Sequence, residues 1–143
     1  MFKLVLVPID VGQMDAAAKA LAMARKLTEK QDSNLILLNV VEELPSYVAS
    51  QIPINIHTEA VSHARNTLTQ MVEDYKLPSG TEVLVSDGHP STKILEVAQQ
   101  THADVIVIAS HDPDLADYLL GSVAARVVRH AHCSVVVVRN VTL

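Results

Sequence analysis

A chain of 143 residues, 49% hydrophobic and 19% charged with a mean hydropathy of +0.25, is too apolar for disorder and fits one domain spanning 1–143. A net charge of −5 with no run of Lys or Arg argues against nucleic acid and against an anionic membrane surface. The single cysteine, Cys133, cannot close an internal disulfide. The N-terminal apolar run meets Pro8 and Asp10 too early for a signal peptide, and no run approaches the roughly 20 apolar residues of a membrane span, so the cytoplasm is the expected location.

The first strand signal is KLVLVP (3–8). Ala17, Leu21, Ala24 and Leu27 then recur at helical spacing within 13–30, and NLILLNVV (34–41) is the second strand signal. EELPSYVASQIPIN (42–55) carries two prolines and no clean period; an ordered surface loop and a mobile cover over a neighbouring site both fit it. Val61, Leu68 and Val72 place a helix within 57–76, and TEVLVS (81–86) is the third strand. Ile94, Leu95 and Ala98 mark a helix within 90–101, before DVIVIA (104–109). Val123, Val127 and Ala131 mark a last helix within 121–131, and SVVVV (134–138) is the fifth strand.

Residues 4–7, 105–108 and 135–138 are apolar at every position. A half-buried strand alternates, so a continuous run implies cover on both faces, as in a parallel sheet. Strands alternating with helices predict an α/β three-layer sandwich with a five-stranded parallel sheet.

In such sheets ligands bind beyond the carboxyl ends of the strands. Asp10 stands there after the first strand, where it can meet a cation, a ribose hydroxyl, or simply cap the following helix. Gly121-Ser122 opens a helical pattern, and both a phosphate-receiving helix N-terminus and an ordinary serine cap fit it. Ser110-His111-Asp112 has the residue types of a hydrolase triad, yet three neighbours on one turn cannot converge on one proton path. HAHC (130–133) lacks the second ligand pair of a zinc finger. A phospho-receiver domain would use Asp10, Asp87 and Ser110, but Arg139 stands where that chemistry wants lysine.

VLVPID (5–10), GHPSTKIL (88–95), DVIVIASH (104–111) and LLGSVAARVVRHAHCSVVVVR (119–139) together resemble the universal stress protein family over essentially the whole chain. The resemblance implies a Rossmann-like sheet of strand order 3-2-1-4-5, and ATP held between strands one and four. Carried over, Pro8, Ile9 and Asp10 border the nucleotide and Val40 packs on the adenine. Ala109 lies near the ribose and phosphates, and Gly121, Ser122 and Val123 receive phosphates on backbone N–H groups. Asp10 is the implied Mg²⁺ ligand, directly or through water.

The family's ATP-binding pattern is Gly-x-x-Gly, nine residues, then Gly-Ser or Gly-Thr. Here Ala109 and Asp112 replace the first two glycines, and eight residues separate Asp112 from Gly121. The chain is most similar to a branch with a glycine-poor Ser-His-x-Pro-Asp loop, in which Ser110 and His111 offer side-chain donors instead. The implied function is a stress-responsive regulator that binds ATP, ADP or AMP with Mg²⁺ and is at most a slow ATPase. The alternative is a nucleotide-free signalling module of the same fold. In either case the apolar edge strand, Val135, Val136, Val137 and Val138, is expected to pair two copies as a homodimer, with further assembly left open.

Overall fold

The computed structural model describes residues 2–29, 32–53, 55–110 and 120–139. The elements in chain order are β1 (Leu4–Pro8), α1 (Met14–Thr28), β2 (Asn34–Val41), α2 (Ser46–Ala49) and α3 (Asn55–Asp74). They continue with β3 (Glu82–Asp87), α4 (Pro90–Thr101), β4 (Val105–Ser110), α5 (Ser122–His130) and β5 (Ser134–Arg139). All strand pairs are parallel, in the order β3-β2-β1-β4-β5. The short α2 breaks what the sequence suggests is an irregular stretch, and α3 begins at Asn55 rather than within 57–76.

Two of the three unbroken apolar runs are buried as expected, apart from a half-buried Leu4, whereas Val135 to Val138 on the edge strand are only partly buried. Val5, Leu6 and Val7 have no exposed surface, nor do Val105, Ile106 and Val107. Alternate residues serve opposite faces of the sheet. Val5, Val7, Leu35, Leu37, Val105 and Val107 pack with Ala17, Ala20, Leu21 and Ala24 of α1 and Leu68 and Met71 of α3. Leu6, Ile36, Leu38, Ile106 and Ile108 pack with Ile94 and Ala98 of α4 and Ala124 and Val127 of α5. The alanine stripe of α1 brings that helix close to the sheet without bulky side chains.

Local chemistry sets the helix ends. Pro90 starts α4, where its missing N–H has no intrahelical role. His102 closes α4 in the left-handed region (φ 58°, ψ 42°), and its N–H reaches the Ala98 and Gln99 carbonyls. Two residues on, Asp104 ties β4 to β1: its Oδ2 accepts from the N–H groups of Lys3 and Leu4, each at 2.9 Å.

The pairing of β1 with β4 is short. It covers Val5↔Val105 and Leu6↔Ile106, whereas β1 pairs with β2 along Leu4 to Pro8. Ile9 turns its N–H to β2, donating to the Leu38 carbonyl at 2.7 Å. Alternation then puts the missing N–H of Pro8 on the β4 side, where no ladder bond can form. The two central strands part beyond that point. The chain also leaves them on opposite faces, since α1 lies on one and α5 on the other. A crevice opens there, at the carboxyl ends of β1 and β4.

Candidate functional site

The crevice is a cavity of about 470 Å³. Pro8, Ile9, Asp10 and Gln13 form its floor from β1 and the following turn. Leu38, Asn39 and Val40 come from β2 and Glu42 from just past it, Ala109 and Ser110 from β4, and Gly121, Ser122 and Val123 from the start of α5. Of the ten residues expected to border a nucleotide, nine therefore line one cavity; His111 lies outside the described residues, as does Asp112. The described lining holds two carboxylates, Asp10 and Glu42, and no Lys, Arg or His.

Asp10 does not cap α1. The cap is Gln13, and no side chain bonds the first turn. Asp10 instead forms a turn of its own: Oδ1 accepts from Gly12 N–H at 2.9 Å, and its carbonyl accepts from Gln13 N–H at 2.9 Å. Gly12 is suited to this closeness, because a Cβ there would stand 3.3 Å from Asp10 Oδ1. One carboxylate oxygen is thus committed to the turn. The other has no partner among the described residues.

Ser122 is not a cap either. Gly121 is the cap residue of α5, in extended backbone (φ −64°, ψ 158°), with no capping side chain. The first helical bond runs from Ala125 N–H to the Gly121 carbonyl. The N–H groups of Ser122 and Val123 consequently have no partner among the described residues, and both residues line the cavity. Gly121 N–H itself donates to Ser110 Oγ at 3.0 Å. That bond joins the end of β4 to the start of α5 and leaves the Ser110 proton free to donate.

Asn39 escapes a sequence reading aimed at the residues just past each strand. It sits inside the apolar run of β2 and is only 6% exposed. Its Nδ2 donates to the Ile9 carbonyl at 2.8 Å, bracing the turn that carries Asp10. The available signal is a lone amide interrupting NLILLNVV.

Other polar groups lie apart from the cavity. Asp87 accepts from His57 Nε2 at 2.9 Å, with each side chain about half exposed. With β2 between β3 and β1, Asp87 and Asp10 cannot form the acid pair of a phospho-receiver site. Ser91, 1% exposed, joins α4 to α5 by accepting from Arg126 Nη1 at 3.1 Å, and contacts His89 Nδ1 at the same distance. His102, His130, His132 and Cys133 border a second groove of about 480 Å³, near the opposite ends of α4 and α5. No group of three or more His, Cys, Asp or Glu among the described residues could hold a metal. Burial pushes the Cys133 thiol above its ordinary range, which suits a packing residue rather than a reactive one. Among the described residues, no helix is long and apolar enough to cross a membrane.

An open parallel sheet with an uncapped helix N-terminus facing a switch-point crevice defines the class of α/β proteins built like nucleotide binders. The profile of the Universal stress protein family matches residues 1–139, and the chain belongs to that family. It is 34% identical to universal stress protein G of Salmonella typhimurium, over 97% of this chain and all of that one. Among solved structures, universal stress protein UspA from Lactobacillus plantarum superposes with a TM-score of 0.80 at 26% identity, covering 96% of this chain and 97% of the other. The fold is shared with the universal stress protein from Archaeoglobus fulgidus in complex with dAMP (TM-score 0.69, 19% identity, 96% and 98% covered). It is shared as well with a universal stress protein in complex with cAMP (TM-score 0.67, 21% identity, 96% and 97% covered).

Proposed function

We propose that this protein is a stress-responsive regulator, one domain over 1–143, that binds ATP or a related adenine nucleotide in the crevice between β1 and β4. The observation that carries the reading is the open start of α5. Ser122 and Val123 line the cavity with N–H groups that have no partner among the described residues, and the helix dipole adds to the pull of such groups on an anion. Ser110 extends that donor set from β4. The dAMP and cAMP complexes on the same fold support a mononucleotide as the class of ligand.

The cavity's own charge points to Mg²⁺. Its described lining has two carboxylates and no cationic side chain to offset a triphosphate. The oxygen of Asp10 left free by the Gly12 bond is an acceptor of the kind Mg²⁺ takes, usually alongside several waters and phosphate oxygens. Bound there, the metal would neutralise phosphate charge. With no lysine or histidine in the described lining, any hydrolysis is slow and the protein works by holding the nucleotide. The cytoplasm is the proposed location.

The direct test is calorimetric titration of ATP into nucleotide-stripped protein, first with Mg²⁺ and then with EDTA. Micromolar binding that weakens at least about tenfold in EDTA is the expected result. Heat from neither titration would overturn the reading and leave Gly121-Ser122 as a plain helix start.

The second reading, a module acting through its surface, rests on β5. Val135 to Val138 lie on an edge strand and stay only partly buried in the single chain. Pairing of this edge with a second copy would satisfy its backbone and cover its valines. Sedimentation at micromolar concentration should return the mass of a dimer, and a monomer mass would refute the pairing.

A further inference from the structure

The two ends of the crevice differ chemically. The α5 end offers N–H donors and takes an anion. The sheet order puts β2 on the far side of β1, roughly 10 Å from β4 at ordinary strand spacing. A nucleotide with its phosphates at α5 therefore reaches β2 with its base. Leu38, Val40 and Ile94 line the crevice there on the α4 and α5 side of the sheet, and on the α1 side, where Ile9, Ala16 and Ala17 line it, the buried polar group is the amide of Asn39.

The orientation of that amide follows from its partner. The Ile9 carbonyl can only accept, so the group 2.8 Å away must be the NH₂ of Asn39. Oδ1 then faces the other way. It has no partner among the described residues. Yet none of their fully enclosed side-chain oxygens or nitrogens lacks a partner. Oδ1 accordingly keeps contact with open space, and the open space that Asn39 lines is the crevice.

We propose that Asn39 reads the base, its Oδ1 accepting a hydrogen bond from the 6-amino group of adenine. The inference rests on the nucleotide reading above and names its selectivity. A 6-oxo purine presents an acceptor at the same place. Asn39 cannot turn its amide to suit it, because the NH₂ is held by Ile9, so two acceptors would face each other without a proton.

The experiment compares ATP, ITP and inorganic tripolyphosphate, each with Mg²⁺, on the wild-type chain and on Asn39→Ala. Wild type should prefer ATP over ITP by about 10- to 100-fold, the effect of one satisfied against one unsatisfied buried polar pair. Asn39→Ala should bring the two nucleotides within about threefold while tripolyphosphate binding stays put. Wild-type protein that binds ATP and ITP alike would overturn the inference and leave the nucleotide reading intact. So would an alanine variant that weakens both equally and keeps their ratio, since that describes a brace for the Ile9 turn alone. Should Asn39→Ala fail to fold, Asn39→Ser takes its place, and the wild-type comparison alone can still refute the proposal. Absence of all nucleotide binding would sink the reading and this inference together.

Discussion

Ser122→Asp should cut ATP affinity by more than about 100-fold while the melting temperature holds or rises. The two effects have opposite signs for one physical reason. At the start of α5 a carboxylate sits in the positive end of the helix dipole, which stabilises an exposed helix by about 0.3–1 kcal/mol. The same carboxylate occupies the place proposed for a phosphate and repels it in a partly enclosed cavity that holds no cationic side chain among its described lining. A 100-fold loss corresponds to about 2.7 kcal/mol, well within reach of a like-charge contact there. Calorimetry and a thermal melt on the same preparation separate the outcomes. Unchanged affinity would mean that no phosphate lies at α5. Loss of both binding and stability would mean that Ser122 has a structural role.

Leu6→Ala is the substitution expected to destabilise the protein most, by about 3–5 kcal/mol. Leu6 lies on the central strand with none of its surface exposed, and it packs in the cluster that α4 and α5 place on the sheet. The strand is fixed by neighbours on both sides, Ile36 through β2 and Ile106 through β4, so the cavity cannot collapse easily. Set against a typical total of 5–15 kcal/mol, such a loss leaves a marginal fold. Val128→Ala provides the contrast: at 45% exposure it should shift stability by less than about 0.5 kcal/mol. Urea denaturation of both variants measures the difference. A cost below about 1 kcal/mol for Leu6→Ala would contradict the close packing of the central layer.

The legible part of this protein lies in its strands. VLV at 5–7 and VIVI at 105–108 are apolar without alternation because both of their faces are covered, and the structure buries all of them, six with no exposed surface and Ile108 nearly so. The helices declared themselves through the spacing of Ala17, Leu21 and Ala24, or Val123 and Val127. The site was partly legible by the same logic, since Asp10, Ala109 and Ser110 stand at or just past the ends of apolar runs, Gly121 opens a helical pattern, and all four reach one cavity.

The contact made by Asn39 and the local bonding around Asp10 and Ser122 were not legible. Asp and Ser are favoured helix caps, so either residue fits that role by type. Which atom a cap bonds depends on backbone angles one or two residues away, and here the turn at Gly12 and the extended Gly121 decided against both.

By itself the sequence determined the layer architecture, because burial on one face or two leaves a period that can be read within a few residues. The tertiary structure alone decided which polar groups meet. Asp10 just past β1 and Asp87 at the end of β3 follow apolar runs alike, but the strand order sends one to the crevice and the other to His57 at the sheet's edge. Asn39 meets Ile9 across 30 residues, and Ser110 meets Gly121 across 11. Those pairings depend on strand order and register, which are set by the packing of the whole sheet and leave no local period in the chain.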